Sequence, residues 1–256
     1  MPLSIRIPDR YEAIVRMANG QDLRSLVEEV RDGLAVLDEI YDEMESTGRG
    51  AFLIVQGRPC SGRTTFLNTV YLFRRGVVTV SIDARESIPK ALDTLGPVAA
   101  PKASAPRMRI VSIKDRESLS RMPLEELAEA LHAINQFLRS PAGLHTLIAW
   151  PCNTEDFVDK LATQARAIGG TALLGLRDGA FLFQGPPRAQ YLSIARRTIA
   201  TFNAGATLVD LGITEEQAAR LAESADTIGA FLLMLNQYVL TKLVQYGRNI
   251  GFLPEG

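Results

Sequence analysis

The sequence predicts an α/β protein in which a five-stranded parallel sheet lies between helices and a C-terminal helical segment follows. Three observations carry this reading. Short, nearly continuous apolar runs alternate with stretches of helical periodicity. A glycine-bracketed turn joins the first such run to a helix, and strand signals stop beyond Pro187.

In residues 22–44, Leu23, Leu26, Val27, Val30, Leu34, Val36, Leu37, Ile40 and Tyr41 recur at helical spacing with acidic residues between them, which predicts a long amphipathic lead helix interrupted near Gly33. Residues 51–56 (Ala-Phe-Leu-Ile-Val-Gln) read as a strand buried on both faces. A helix over 64–73 and a β-branched strand over 77–82 complete a βαβ unit.

Residues 89–106 are rich in proline and small side chains without periodicity, which predicts a loop. A third strand follows over 109–113 and a helix over 124–138. A fourth strand over 145–150 is closed by Pro151, a helix covers 157–168, and a fifth strand covers 179–184. Past Pro187 only helices are predicted, over 191–202, 215–223 and 228–246, the second opened by the capping-box spacing of Thr214 and Gln217. The predicted organisation is a helical lead (1–48), an α/β core (49–187) and a helical lid (188–256).

The 256 residues, 46% hydrophobic and 22% charged, describe a globular chain long enough to bury a sizeable core. A net charge of -1 with a pI near 6.2 gives no global attraction to DNA or anionic lipid. Two cysteines, Cys60 and Cys152, lack the spacing of a zinc site and read as small, partly buried thiols; His132 and His145 have no Cys or His beside them to form a metal site. The first residues carry no basic stretch leading into an apolar core, and later apolar stretches read as shorter than a membrane span. A cytoplasmic protein with no membrane partner is expected.

The chemistry is concentrated in Gly57-Arg58-Pro59-Cys60-Ser61-Gly62-Arg63-Thr64, followed by Thr65. A strand, two glycines bracketing four residues, a basic residue and two threonines opening a helix is the context of a phosphate loop, in which exposed amides hold phosphate oxygens. Gly57, Cys60, Ser61, Gly62, Arg63, Thr64 and Thr65 are the candidate nucleotide contacts, with the Thr64 hydroxyl also a candidate Mg²⁺ ligand. Arg63 stands where that loop calls for lysine, and a planar guanidinium does not replace a compact ammonium. The plain alternative is a glycine-proline turn between strand and helix.

With its helical lead, five core strands and helical lid in this order, the chain resembles the AAA+ and STAND branch of P-loop NTPases. The resemblance implies ATP and Mg²⁺ as cofactors and a homo-oligomer or partner protein. It assigns Asp115 to the metal and Glu117, one residue late, to water activation, in a segment that reads Ile110-Val111-Ser112-Ile113-Lys114-Asp115-Arg116-Glu117. It also places the strands carrying Cys60 and Cys152 side by side, Asn153 at the position that senses the γ-phosphate, and Arg166 or Arg177 at the arginine finger. The bland readings are a solvated turn for Asp115 and Glu117, a helix cap at Asn153 and Thr154, and solvated arginines.

The implied function is a nucleotide-dependent switch or assembly subunit with weak or partner-dependent ATP hydrolysis. A hydrolysis-deficient nucleotide-binding scaffold is the alternative, and a small-molecule kinase is a less favoured one. No recognition helix or aromatic-basic platform argues for nucleic acid.

Overall fold

The computed structural model describes residues 5–18, 23–98, 108–118, 120–175 and 180–249. In chain order the elements are α1 (Tyr11–Ala18), α2 (Arg31–Thr47), β1 (Ala51–Gln56), α3 (Arg63–Thr69), β2 (Val77–Ile82), α4 (Ile88–Asp93), β3 (Met108–Ile113), α5 (Leu124–Leu138), β4 (Thr146–Cys152), α6 (Glu155–Gly169), α7 (Thr171–Leu174), β5 (Ala180–Leu182), α8 (Tyr191–Phe202), α9 (Glu215–Ser224) and α10 (Ile228–Asn249). They form two compact units. One comprises residues 30–59 and 63–184, the other residues 1–29, 60–62 and 185–256, so α2 belongs with the sheet while residues 1–29 belong with the C-terminal helices.

The sheet unit is a five-stranded parallel sheet of order β2-β3-β4-β1-β5. Side chains alternate across it with the period of two that a pleated strand imposes. Phe52, Ile54, Val111, Ile113, Ile148 and Trp150 enter one core with α4, α5, α6 and α7. Leu53, Val55, Met108, Ile110, Leu147 and Ala149 enter the opposite core with α2 and α3. Two-sided burial explains why these strands read as continuous apolar runs. The chain leaves β1 for α3 on one face and leaves the adjacent β4 for α6 on the other. The carboxyl ends of β1 and β4 therefore flank the crevice in which open α/β sheets place ligands.

The helical unit has its own core of Tyr191, Ile194, Ala195, Ile199, Phe231, Leu235 and Val239, joined by Ile7. Thr214 and Gln217 form the reciprocal capping box at the start of α9. In α10 the window from Ile228 to Gln245 has the length and apolarity of a membrane span, which corrects the expectation that apolar stretches stop short of one. Its single charged residue, Lys242, does not interrupt it, and Phe231, Leu235 and Val239 within it are buried in the unit's own core.

Several boundaries differ from expectation. The lead helix starts at Arg31 and not at residue 22, with a 3-10 turn, Leu23–Ser25, before it; Gly33 lies inside α2, buried beneath the Phe66 ring. The helix after β1 begins at Arg63 and passes into a 3-10 turn, Val70–Leu72. Pro151 does not end β4, which runs through it to Cys152, while His145 falls just outside the strand with φ 56°. Part of the expected 89–106 loop is helical as α4, opened by Pro89 in its first turn, and residues 99–107 lie outside the described residues.

Candidate functional site

Gly57 follows β1 directly and donates its N–H to Cys152 O at 3.1 Å. A Cβ there would meet Phe183 O at 2.7 Å, so only glycine fits. Cys60 and Gly62 both take left-handed backbone conformations, at φ 63° and 94°, and at Cys60, which is not glycine, this conformation is strained. Cys60 O accepts the N–H of Gly229 at 3.0 Å. Ser61 is buried, and its Oγ has no hydrogen-bond partner among the described residues.

Arg63 departs most from the geometry of a phosphate-reaching side chain. It is 5% exposed and turns back under the loop. Its Nη1 donates to Val55 O at 3.2 Å and to Cys152 O, bracing the ends of β1 and β4. Its Nη2 donates to Asn153 Oδ1 and lies 3.6 Å from Glu117 Oε2. Asn153 completes the triangle: its Nδ2 donates to Glu117 Oε2 and its N–H to Glu117 O at 3.1 Å. A planar fork with five donors can serve two carbonyls, an amide and a carboxylate at once, which an ammonium cannot.

Three residues singled out on sequence grounds, Arg63, Glu117 and Asn153, are thus brought into one hydrogen-bonded cluster. Thr154 caps α6 beside them, its Oγ1 accepting from Phe157 N at 3.3 Å. Thr64 and Thr65 form the first turn of α3, half-buried, their carbonyls accepting from Asn68 Nδ2 and Thr69 Oγ1.

Asp115 is placed apart from the cluster's contacts. It sits at φ 56° with its side chain 61% exposed and pairs with Arg121 at 3.5 Å. Arg166 is exposed in the last turn of α6, and Arg177 lies outside the described residues. Among the described residues no group of three or more His, Cys, Asp or Glu could hold a metal ion.

Sequence reasoning did not foresee the burial of Arg116. Its side chain is buried, donates to Ala84 O at 3.1 Å and Glu86 O at 2.5 Å, and lies 3.8 Å from Glu126. Its own carbonyl accepts from Trp150 Nε1 at 2.8 Å, so the backbone between Asp115 and Glu117 is pinned to β4. An arginine between two acids gives no signal of burial in a single sequence. The Cys152 thiol is pushed far above its usual range by burial, with Arg63 opposing and Glu117 adding to the shift.

The loop meets part of what a bound triphosphate requires. Ser61 offers an unsatisfied buried hydroxyl, and Gly62, with only Ile228 Cγ2 within 4 Å of where a Cβ would stand, allows close backbone approach. The cation of Arg63 is spent internally, and Asp115 does not join Thr64 in any hydrogen bond or ion pair described for either residue.

No family model and no curated protein matches the chain. Among solved structures it is similar to the ORC2 protein of Aeropyrum pernix. In the ADP form the TM-score is 0.50 at 14% identity over 90% of this chain and 69% of that one. In the ADPNP-ADP complexes the TM-score is 0.48 at 14% identity, over 90% and 68%. A DNA polymerase III gamma subunit-related protein of Thermotoga maritima gives 0.40 at 15% identity, over 77% and 69%. With its five parallel strands in the order β2-β3-β4-β1-β5, helices on both faces and C-terminal helices, this chain has the fold of the AAA+ ATPases.

Proposed function

We propose that the protein is a nucleotide-binding switch or assembly subunit of the AAA+ type in which ATP hydrolysis is held back by Arg63. The observation that carries this reading is the ion pair and shared amide linking Arg63, Glu117 and Asn153. Backbone amides around Ser61 and Gly62 would hold the phosphates, with Thr64 and Asp115 the candidate partners of Mg²⁺. A bound Mg²⁺ would neutralise phosphate charge.

Water activation by a carboxylate requires a free lone pair aimed at the water. Glu117 instead gives one oxygen to Asn153 Nδ2, and the same oxygen lies 3.6 Å from the Arg63 guanidinium. Asn153 is likewise committed, its Oδ1 to Arg63 and its Nδ2 to Glu117. Release of both groups needs Arg63 to move, and a neighbouring subunit or partner could supply that displacement. The same cluster favours a second reading, a scaffold that binds nucleotide and never hydrolyses it.

The test is a titration with a fluorescent ATP analogue in Mg²⁺, run beside a phosphate-release assay. Saturable binding with release near background is expected. Arg63→Lys removes the fork that holds Glu117 and should raise release roughly tenfold. No binding at any concentration would overturn the nucleotide reading, fast release by the native protein would overturn the hold, and an inert Arg63→Lys variant that still binds would select the scaffold.

A further inference from the structure

Strand β2 forms one edge of the sheet. All six residues, Val77–Ile82, pair with β3, and no other strand lies beyond β2 among the described residues. The inner strands β3 and β4 are buried throughout, whereas in β2 only Ile82 is. Natural sheets blunt such edges with charge, proline, bulges or short length, because a row of unpaired backbone donors and acceptors is a template for another strand. Val77-Val78-Thr79-Val80-Ser81-Ile82 carries no charge and no proline, and it is regularly paired over its whole length. The opposite edge, β5, is only three residues long. Val78 and, in the adjoining 3-10 turn, Tyr71 add exposed apolar surface, at 39% and 43%.

We propose that this edge pairs with the same edge of a second copy of the chain, antiparallel about a two-fold axis near Thr79, joining the two sheets into one. Charge at the strand ends selects this occupant and this direction. Exposed Arg75 precedes the strand and exposed Asp83 follows it. Antiparallel self-pairing centred on Thr79 sets Val77 opposite the partner's Ser81 and brings Arg75 to the partner's Asp83, twice by symmetry. Parallel pairing would set Arg75 beside its own copy and would not close. Arg74 is already held by Asp38 through Nε at 3.0 Å and Nη2 at 2.8 Å, which leaves Arg75 as the cation used here. The uncharged strand centre offers nothing that repels its own copy.

Sedimentation velocity over a concentration series tests this, with far-UV circular dichroism confirming the fold of each variant. The native chain should show a monomer–dimer equilibrium. Asp83→Arg and Arg75→Asp should each weaken it roughly tenfold or more, since each replaces two attractive pairs by two repulsive ones. The double variant Arg75→Asp/Asp83→Arg restores opposite charges and should recover the dimer, while Val78→Lys should abolish it. A native chain that stays monomeric to its solubility limit overturns the proposal. So does a dimer indifferent to both Asp83→Arg and Val78→Lys, or a double variant no better than either single one.

Discussion

The guanidinium of Arg63 lies 3.6 Å from the carboxylate of Glu117, although the two residues come from the first helix after β1 and from the segment after β3. The pair is largely withdrawn from water, with side-chain exposures of 5% and 22%. Removing Arg63 therefore exposes the cost of burying its partners alone. Arg63→Ala strips Val55 O and Cys152 O of a donor and Glu117 of its counter-charge, and should lower stability by about 3 kcal/mol. Urea unfolding, read as a lower midpoint at constant slope, measures it.

Asn153 connects to Glu117 by side chain and by backbone, so only part of the linkage is lost on truncation. A double-mutant cycle of Asn153→Ala and Glu117→Ala should return a coupling of about 1 kcal/mol. Strict additivity would mean that the amide bridge contributes nothing.

The two thiols should differ sharply in reactivity. Cys60 is exposed, whereas Cys152 is fully buried and its thiol is held far above the ordinary range, chiefly by burial. Only the thiolate attacks disulfide reagents. One equivalent of a chromogenic disulfide should therefore react in the native protein near pH 8 and two in denaturant. If the loop holds a nucleotide, adding it should slow the Cys60 reaction.

Asp210 has its carboxyl held below the usual carboxylate range, first by the Thr207 N–H at 2.8 Å and then by the Thr207 hydroxyl at 2.7 Å. Both bonds favour the charged form. The stability they confer is complete above the unfolded-state pKa and disappears as pH falls through the lower folded value. Carboxyl titration by NMR should place Asp210 below exposed aspartates, and Thr207→Val should move it only partway back because the backbone donor remains.

Much of the fold could be read from local pattern. The runs 51–56 and 109–113 are apolar because both faces of a central parallel strand are buried, and α8 matches its predicted limits because Tyr191, Ile194, Ala195, Thr198 and Ile199 face one core. Boundaries were lost where tertiary packing overrides propensity. Gly33 looks like a break but is the gap into which the Phe66 ring fits, and Pro151 looks like a stop but continues β4. In the candidate site, Arg63 stood out by its place in the glycine-bracketed loop, and Glu117 and Asn153 by the family resemblance. Their mutual contact could not be read, since the direction in which a long arginine turns depends on carbonyls from two strands and an amide 90 residues away.

The sequence holds a single tryptophan, and Trp150 is fully buried, edge-on to Phe52 and Phe157, with its indole bonded to the backbone beside Glu117. The molecule thus carries its own optical gauge at this segment. Emission from the native chain should be blue-shifted, and any event that pulls residues 115–117 away from β4 frees the indole N–H, admits water and reddens the spectrum. Unlabelled protein can in this way report movement around Glu117 from one chromophore, with no competing signal from a second indole.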